Sequence, residues 1–308
     1  MIQPLVSIIV LTYNSSLTIL ETLESLKKQS YPNIELIISD DASKDETVKI
    51  CQTWVQANSY KFKKCTILTT ESNTGVSANC NRGCKIANGV WIKLIAGDDA
   101  LYPNAIYDFM TFSHNYPQAK IIHSKINCFF NTLNEKNLIK GEIVKYPPYF
   151  TDNKNNNVNK QHNYLCLKNT IAALSVIIKK QIYDEIGGFD EDIKQCEDWP
   201  MWLKLTQKGY TFFFLNAITG KYRIHATSIS GKETQCGLFK CFFEIDHTIY
   251  NKYIKNNCPI LIKLMNRYDF YVRKSLNQLK LNNKRLDSRL IYSFLMGPYK
   301  LVNLIIAK

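Results

Sequence analysis

No stretch of the chain runs for the roughly 18 apolar residues that a membrane-spanning helix requires. Residues 290–306 come nearest, and Gly297, Pro298 and Lys300 interrupt them. None of the ten cysteines forms a Cys-x-x-Cys pair. The nearest neighbours, Cys80 with Cys84 and Cys236 with Cys241, lack a second pair at zinc-ligand spacing. Scattered buried thiols in a reducing cytoplasm are expected instead. No Gly-x-Gly-x-x-Gly follows the first apolar run, which argues against a dinucleotide-dependent dehydrogenase. The N-terminus has no basic segment leading into a long apolar stretch, since Leu5 to Leu11 is only strand-length, so no signal peptide is expected. Acidic residues are scarce: 26 Asp and Glu face 39 Lys and Arg, a formal net charge of +13. That excess implies anionic partners such as nucleotide diphosphates or an acidic membrane surface. Nucleic-acid binding would rest on charge alone and is not expected. No internal repeat is visible.

What is present suits one large or two modest globular domains: 308 residues, 45% of them hydrophobic. Val6 to Leu11 is short, β-branched and bounded by polar residues, as a buried parallel strand is. Thr12-Tyr13-Asn14 stands at its carboxyl end, and Ser15 or Ser16 is placed to cap a helix bearing Leu20, Leu23 and Leu26. Ile34 to Ile38 repeats the strand pattern and ends in Ser39-Asp40-Asp41. A capping box, Ser43-x-x-Glu46, precedes a helical face of Val48, Cys51 and Val55. Thr66 to Thr69, a helix over Val76 to Asn88 and a strand over Val90 to Ile95 follow. Alternation over about 100 residues predicts a parallel sheet with right-handed crossovers. Beyond it, Pro103 opens a helix bearing Ile106, Phe109 and Met110, and Ala119 to Ile126 forms another strand. Residues 151–163 are Asn-rich and read as a mobile surface loop. Ala172 to Ile178, a helix near Gln181 to Ile186, a turn at Gly187-Gly188, an amphipathic helix after Glu197-Asp198, and strands over Thr211 to Leu215 and Lys221 to His225 complete the sheet-like part.

The strand ending in Gly97-Asp98-Asp99 carries the strongest chemical signal. Ligands of open α/β sheets bind at the carboxyl ends of the strands. Two adjacent carboxylates there repel each other, and a hard divalent cation with oxygen ligands relieves that repulsion. A plain Gly-Asp turn is the competing reading. Convergence of polar strand ends on one rim favours the site.

Val6 to Asn14, Asp40-Asp41, Asn73-x-Gly75, Gly97-Asp98-Asp99, Gly187-Gly188-Phe189-Asp190 and Glu197-Asp198-Trp199 together resemble, in order and rough spacing, the family 2 glycosyltransferases. The resemblance covers about residues 4–230, and the ordered set rather than any single motif is specific. It implies a GT-A type α/β fold with a mixed central sheet, inverting sugar transfer from a nucleotide-diphosphate sugar, and a divalent metal, Mn or Mg. It places Thr12, Tyr13, Asn14, Asp41, Asn73, Gly75, Asn81 and Asp98 around the donor. Asp98 and Asp99 resemble the metal-binding acids. Asp198 resembles the general base, with Glu197 and Trp199 on the acceptor side, and Arg223 and His225, followed by Ser228 and Ser230, resemble a late loop over the diphosphate. The implied layout is a catalytic domain over 1–230, with a nucleotide half to about 125 and an acceptor half over 126–230, and a helical region over 231–308.

Two departures matter. Many members read Asp-x-Asp-Asp where this chain has Ala96-Gly97-Asp98-Asp99, so the pattern leaves open which acid meets the metal. Many also carry Arg where Cys80 precedes Asn81, so the cationic contact is absent or comes from Arg82 or Lys85.

The residues suit the chemistry independently. A departing diphosphate gains charge that a metal stabilises, and an acceptor hydroxyl needs a carboxylate within hydrogen-bond reach, for which Asp198 is best placed. His225 also reads as a plain strand histidine, and Trp199 and Trp202 as core as readily as sugar-stacking platforms. A UDP-sugar donor and a surface polysaccharide or lipid-linked acceptor are the expected partners. The alternatives are a sugar nucleotidyltransferase, which would carry a Gly-rich basic loop where Thr12-Tyr13-Asn14-Ser15-Ser16 stands, and a non-catalytic nucleotide-sugar binder. Residues 235–308 carry 13 basic against 4 acidic residues, interleaved with Phe239, Phe242, Phe243, Tyr250, Tyr253, Tyr268, Phe270, Tyr271, Tyr292, Phe294 and Tyr299. They read either as a helical lid or as an amphipathic tail holding a cytoplasmic protein to the inner, anionic face of a membrane.

Overall fold

The structure, a computed structural model, describes residues 3–139, 146–225, 238–239 and 243–306. The first half alternates as expected: β1 (Val6–Thr12), α1 (Ile19–Lys27), β2 (Ile34–Asp40), α2 (Thr47–Asn58), β3 (Lys64–Leu68), α3 (Val76–Ile86) and β4 (Trp91–Ala96). β1 pairs in parallel with β2 and β4, and β2 with β3. Their β-branched side chains are buried because helices cover both faces. A two-residue strand, β5 (Ala100–Leu101), follows, then α4 (Ala105–Asn115), which buries Ile106, Phe109 and Met110.

The second half makes the sheet mixed. It contains β6 (Ile121–Phe130), α5 (Pro148–Thr151), α6 (Val158–Leu165), β7 (Val176–Lys179), α7 (Lys180–Glu185), α8 (Asp198–Gln207) and β8 (Phe212–Ile224). The strand order is β3-β2-β1-β4-β7-β6-β8-β5. β7 runs antiparallel to β4 and β6, whereas β6 and β8 are parallel. The two late strands expected separately are one continuous strand, long enough to bring Arg223 and His225 back to the rim of β4.

Several local expectations are corrected. The Asn-rich stretch is not simply a loop. Asn157 caps α6 by accepting from Lys160 N, and Gln161 and His162 are buried. The reason is the open edge of β8. The Gln161 amide accepts from Phe212 N (2.9 Å) and donates to Phe212 O (3.0 Å), and Asn153 does the same for Phe214 (2.7 and 2.8 Å). Buried backbone groups must find partners, and these amides supply them. Neither Ser15 nor Ser16 caps α1 with its side chain, and Leu20 is half exposed while Ile19 takes its place in the core. The Ser43-x-x-Glu46 capping box does not form, because Ser43 Oγ bonds Asp40 and Asn14 N instead.

The C-terminal part is helical: α9 (Phe243–Ile249) running into a π-type turn (Tyr250–Ile254), α10 (Ile260–Gln278), α11 (Leu286–Leu295) and α12 (Gly297–Ile306). These helices share a buried cluster with the sheet that runs from Ile9 through Phe150 and Trp202 to Tyr299. Lys252 bridges Asp190 and Asp192, Tyr149 Oη donates to Ile306 O (2.8 Å), and Asn266 Nδ2 to Cys166 O (3.0 Å). Phe239, Phe243, Tyr250 and Tyr299 are buried, Tyr271 and Phe294 are exposed, and Phe242 lies outside the described residues. Among the described residues no helix is long and apolar enough to cross a membrane.

Candidate active site

The candidate rim lies at the carboxyl ends of β1, β2 and β4. Asp41, one residue past β2, is buried, and its carboxylate organises the loop before α3. Oδ2 accepts from Thr74 N and Gly75 N, both at 2.9 Å, and Oδ1 accepts from Thr74 Oγ1 (2.6 Å) and Arg82 Nη2 (3.0 Å). Arg82, two residues after Cys80, is thus paired with Asp41. Gly75 holds φ +93°, and a Cβ there would sit 2.8 Å from Lys194 Cβ, so glycine is required both by its backbone and by the neighbouring loop. Asp40 takes Thr12 Oγ1 (2.8 Å) and Ser43 N (2.8 Å). Thr12 is thus buried against Asp40 rather than lining the donor pocket. Asn14 sits at φ 50° and staples two loops, with its N–H on Ser43 Oγ and its Oδ1 on Lys44 N (both 2.8 Å). Tyr13 and Asn73 are exposed on this rim.

The two acids after β4 separate. Asp99 is 3% exposed, and its Oδ1 accepts from Arg223 N (2.9 Å). Burial first, and the neighbouring Asp98 second, push its carboxyl well above the ordinary range. Asp98 faces outward with His225, Nε2 to Oδ2 at 3.0 Å, each side chain about one-quarter exposed (24% and 26%). Asp99 therefore braces the loop, and Asp98 keeps a partly exposed carboxylate. Arg223 is corrected too. It is buried, donating Nε to Asp98 O (2.7 Å) and Nη1 to Asn131 O (2.7 Å), with Nη2 on Glu21. It clamps the acid loop and does not reach out to a diphosphate. Nothing in the sequence marked Glu21 or Asn131 as its partners. Ser228 and Ser230 lie outside the described residues.

The chain between α7 and α8 is held against the start of α3. Val76 N donates to Lys194 O (3.0 Å) and Ser77 Oγ to Ile193 O (2.7 Å), sewing that segment onto the start of α3. Asn81 completes the seam. Its Oδ1 accepts from Tyr183 Oη (2.6 Å) and Phe189 N (2.8 Å), and its Nδ2 donates to Phe189 O (3.0 Å) and Glu191 Oε1 (2.7 Å). Asn81 is therefore a structural bridge, not a donor contact. Asp198 opens α8, where the helix dipole favours an anion. Its Oδ1 accepts from Trp199 N (2.7 Å) and from Asn169 Nδ2 (2.9 Å), a partner with no sequence signal. Trp199 is buried, with its indole on Leu165 O (2.7 Å), so it belongs to the core and not to an acceptor platform.

Glu197 stands beside Asp198, with Cys80 and Cys196 nearby. Burial, then the Asp198 charge, push its carboxyl up to about 8. A carboxyl raised above its unfolded value keeps a proton that the unfolded chain releases, so its contribution to stability is lost as pH rises toward about 8. Glu197→Gln has no such proton to lose. Its melting temperature relative to the parent is expected to rise between about pH 5 and pH 8; scanning calorimetry showing a constant difference across that range would refute the assignment.

The glycosyl transferase family 2 sequence model matches residues 7–178, more than half of the chain. The chain belongs to glycosyltransferase family 2. Among its family 2 relatives is an uncharacterized glycosyltransferase of Rickettsia prowazekii, 28% identical over 224 residues. That match takes in 73% of this chain and 65% of the relative, so the chain spans just under two thirds of that protein's length. Another is the Escherichia coli UDP-Glc:alpha-D-GlcNAc-diphosphoundecaprenol beta-1,3-glucosyltransferase WfaP, 29% identical over 74% of this chain and 81% of that one. The putative teichuronic acid biosynthesis glycosyltransferase TuaG of Bacillus subtilis is 25% identical over 75% and 83%. Residues 1–349 of S. aureus TarS, crystallised with UDP-GlcNAc, superpose with a TM-score of 0.63 at 18% identity, covering 95% of this chain and 80% of that one. This likeness establishes the GT-A type fold.

Proposed function

We propose that this chain is an inverting glycosyltransferase that moves a sugar from a UDP-sugar to a hydroxyl of a lipid-linked or surface glycan. The observations that support the reading are Asp98 and His225 side by side after β4 and β8, and Asp198 at the start of α8, in a chain of family 2. The names of WfaP, with UDP-Glc and a diphosphoundecaprenol acceptor, and of TuaG, in teichuronic acid biosynthesis, support the donor and acceptor classes.

The donor set fits a divalent cation. Asp98 offers a carboxylate and His225 an imidazole, side by side and partly exposed. Among the described residues no cluster of three or more His, Cys, Asp or Glu could hold a metal. The Asp98–His225 pair by itself would hold Mn or Mg by one or two side chains, with the remaining positions left to phosphate oxygens and water. Such an ion would stabilise the charge that the leaving diphosphate gains.

The chain's own residues do the rest. Tyr13 offers an exposed ring to the base, and the loop held by Asp41 shapes the nucleoside side. Asp198 accepts the proton of the acceptor hydroxyl while that oxygen bonds the anomeric carbon and the bond to the diphosphate breaks. Attack from the face opposite the leaving group gives inversion, and it requires only that donor and acceptor be held in line.

The test is a panel of nucleotide sugars, with and without manganese, read by calorimetry and by slow hydrolysis. UDP-sugars are expected to bind in a manganese-dependent way and to release UDP slowly. A chain that binds no nucleotide sugar in either condition is not this enzyme.

A further inference from the structure

The helical C-terminus buries one side and leaves another bare. On α11, Leu286, Leu290 and Phe294 recur at every fourth position and so share one face. On α12, Leu301, Leu304 and Ile305 stand at i, i+3 and i+4 and so share one face too. All six are between 58% and 82% exposed. The opposite faces hold the fold: Ser288 on α11, and Tyr299 and Val302 on α12, are buried. Six large apolar side chains on two adjoining helices exceed the scattered exposure that a monomer surface normally shows.

The charge on these helices selects the occupant. Residues 280–306 hold five basic residues, Lys280, Lys284, Arg285, Arg289 and Lys300, and one acid, Asp287. Two copies meeting through this face would oppose like charge to like. An anionic leaflet would attract it, each basic group near the surface contributing favourably, while the apolar side chains enter the acyl boundary.

The face also has a geometric relation to the proposed base. Tyr299 donates to Leu167 O, Trp199 Nε1 to Leu165 O, and Asn169 Nδ2 to Asp198. The segment 165–169 thus lies between α12 and the start of α8. We infer that the outer face of α11 and α12 docks on an anionic lipid bilayer and sets the acceptor side of the enzyme next to the membrane. This rests on the proposed lipid-linked acceptor for its purpose and on the exposed face for its basis.

The experiment is cosedimentation of the full chain with vesicles of phosphatidylglycerol and phosphatidylethanolamine, and with phosphatidylcholine alone, at low and high salt. The parent is expected to pellet with the anionic vesicles and to be released as salt rises. The triple variant Leu290→Gln, Phe294→Gln, Leu301→Gln, altered only at exposed positions, is expected to lose at least roughly tenfold in vesicle affinity with unchanged melting and UDP binding. A parent that stays in the supernatant with anionic vesicles at low salt overturns the proposal, as does a variant that pellets equally well. Self-association abolished by the variant, without vesicle binding, would assign the face to a second copy and overturn it too. UDP binding in manganese, measured on the same preparations, reports the donor site separately, so a failure of the enzymatic reading is distinguished from a failure of the membrane one.

Discussion

Asp198→Asn is expected to keep donor affinity and to lose transfer by roughly two to four orders of magnitude. The substitution is close to isosteric, and its amide oxygen can still accept from Trp199 N and Asn169 Nδ2, so the start of α8 should remain in place. What disappears is the capacity to take a proton from the acceptor hydroxyl. The loss should fall on kcat, with KM for the donor nearly unchanged. If Asp198 were only a helix-terminal acid, the variant would melt slightly lower and transfer at nearly the parent rate. A variant retaining most of its transfer rate, measured as sugar incorporated into acceptor, would remove Asp198 from the chemistry.

The neighbouring acids Asp98 and Asp99 are expected to fail in different ways. Asp98→Asn alters a side chain that is about one-quarter exposed beside His225, so the fold should survive. Manganese-dependent UDP affinity should fall by at least about tenfold, because a neutral amide is a poor ligand for a hard cation. Asp99→Ala removes a buried carboxylate that accepts from Arg223 N. An unpaired buried N–H costs about 1–3 kcal/mol, so this variant should unfold at lower denaturant concentration. Calorimetry with UDP, with and without chelator, and urea unfolding separate the two. Asp98→Asn binding UDP as tightly as the parent in manganese would end the metal assignment. Asp99→Ala with parental stability would contradict the bracing role.

Much of the scaffold was legible because it is written locally. β-branched runs, helical spacing of apolar residues and polar strand ends depend on neighbours only a few positions away. They located β1 to β4, α4, the rim and the acids on it. The divided fate of Asp98 and Asp99 was not legible. Adjacent residues on a turn can point either way, and what decides is β8, which returns from more than 100 residues downstream to offer Arg223 N to one acid and His225 to the other. Separation along the chain also hid the clamp of Arg223 on Glu21 and Asn131, 202 and 92 residues away, and the hold of Asn169 on Asp198, 29 residues away. Asn81 and Trp199 carried motif positions, yet their polar atoms are consumed by Tyr183, Phe189 and Leu165.

The sequence by itself determined the alternating parallel half, the family motifs, the acids of the rim and the basic helical C-terminus, since each is a pattern of residue types along the chain. Only the tertiary structure decided which of those residues face inward. Burial satisfies a polar group through partners far away in sequence, so Thr12, Asn81, Asp99, Trp199 and Arg223 became parts of the frame. Asp98, Asp198 and His225 stayed partly exposed, and the apolar faces of α11 and α12 stayed outside the core.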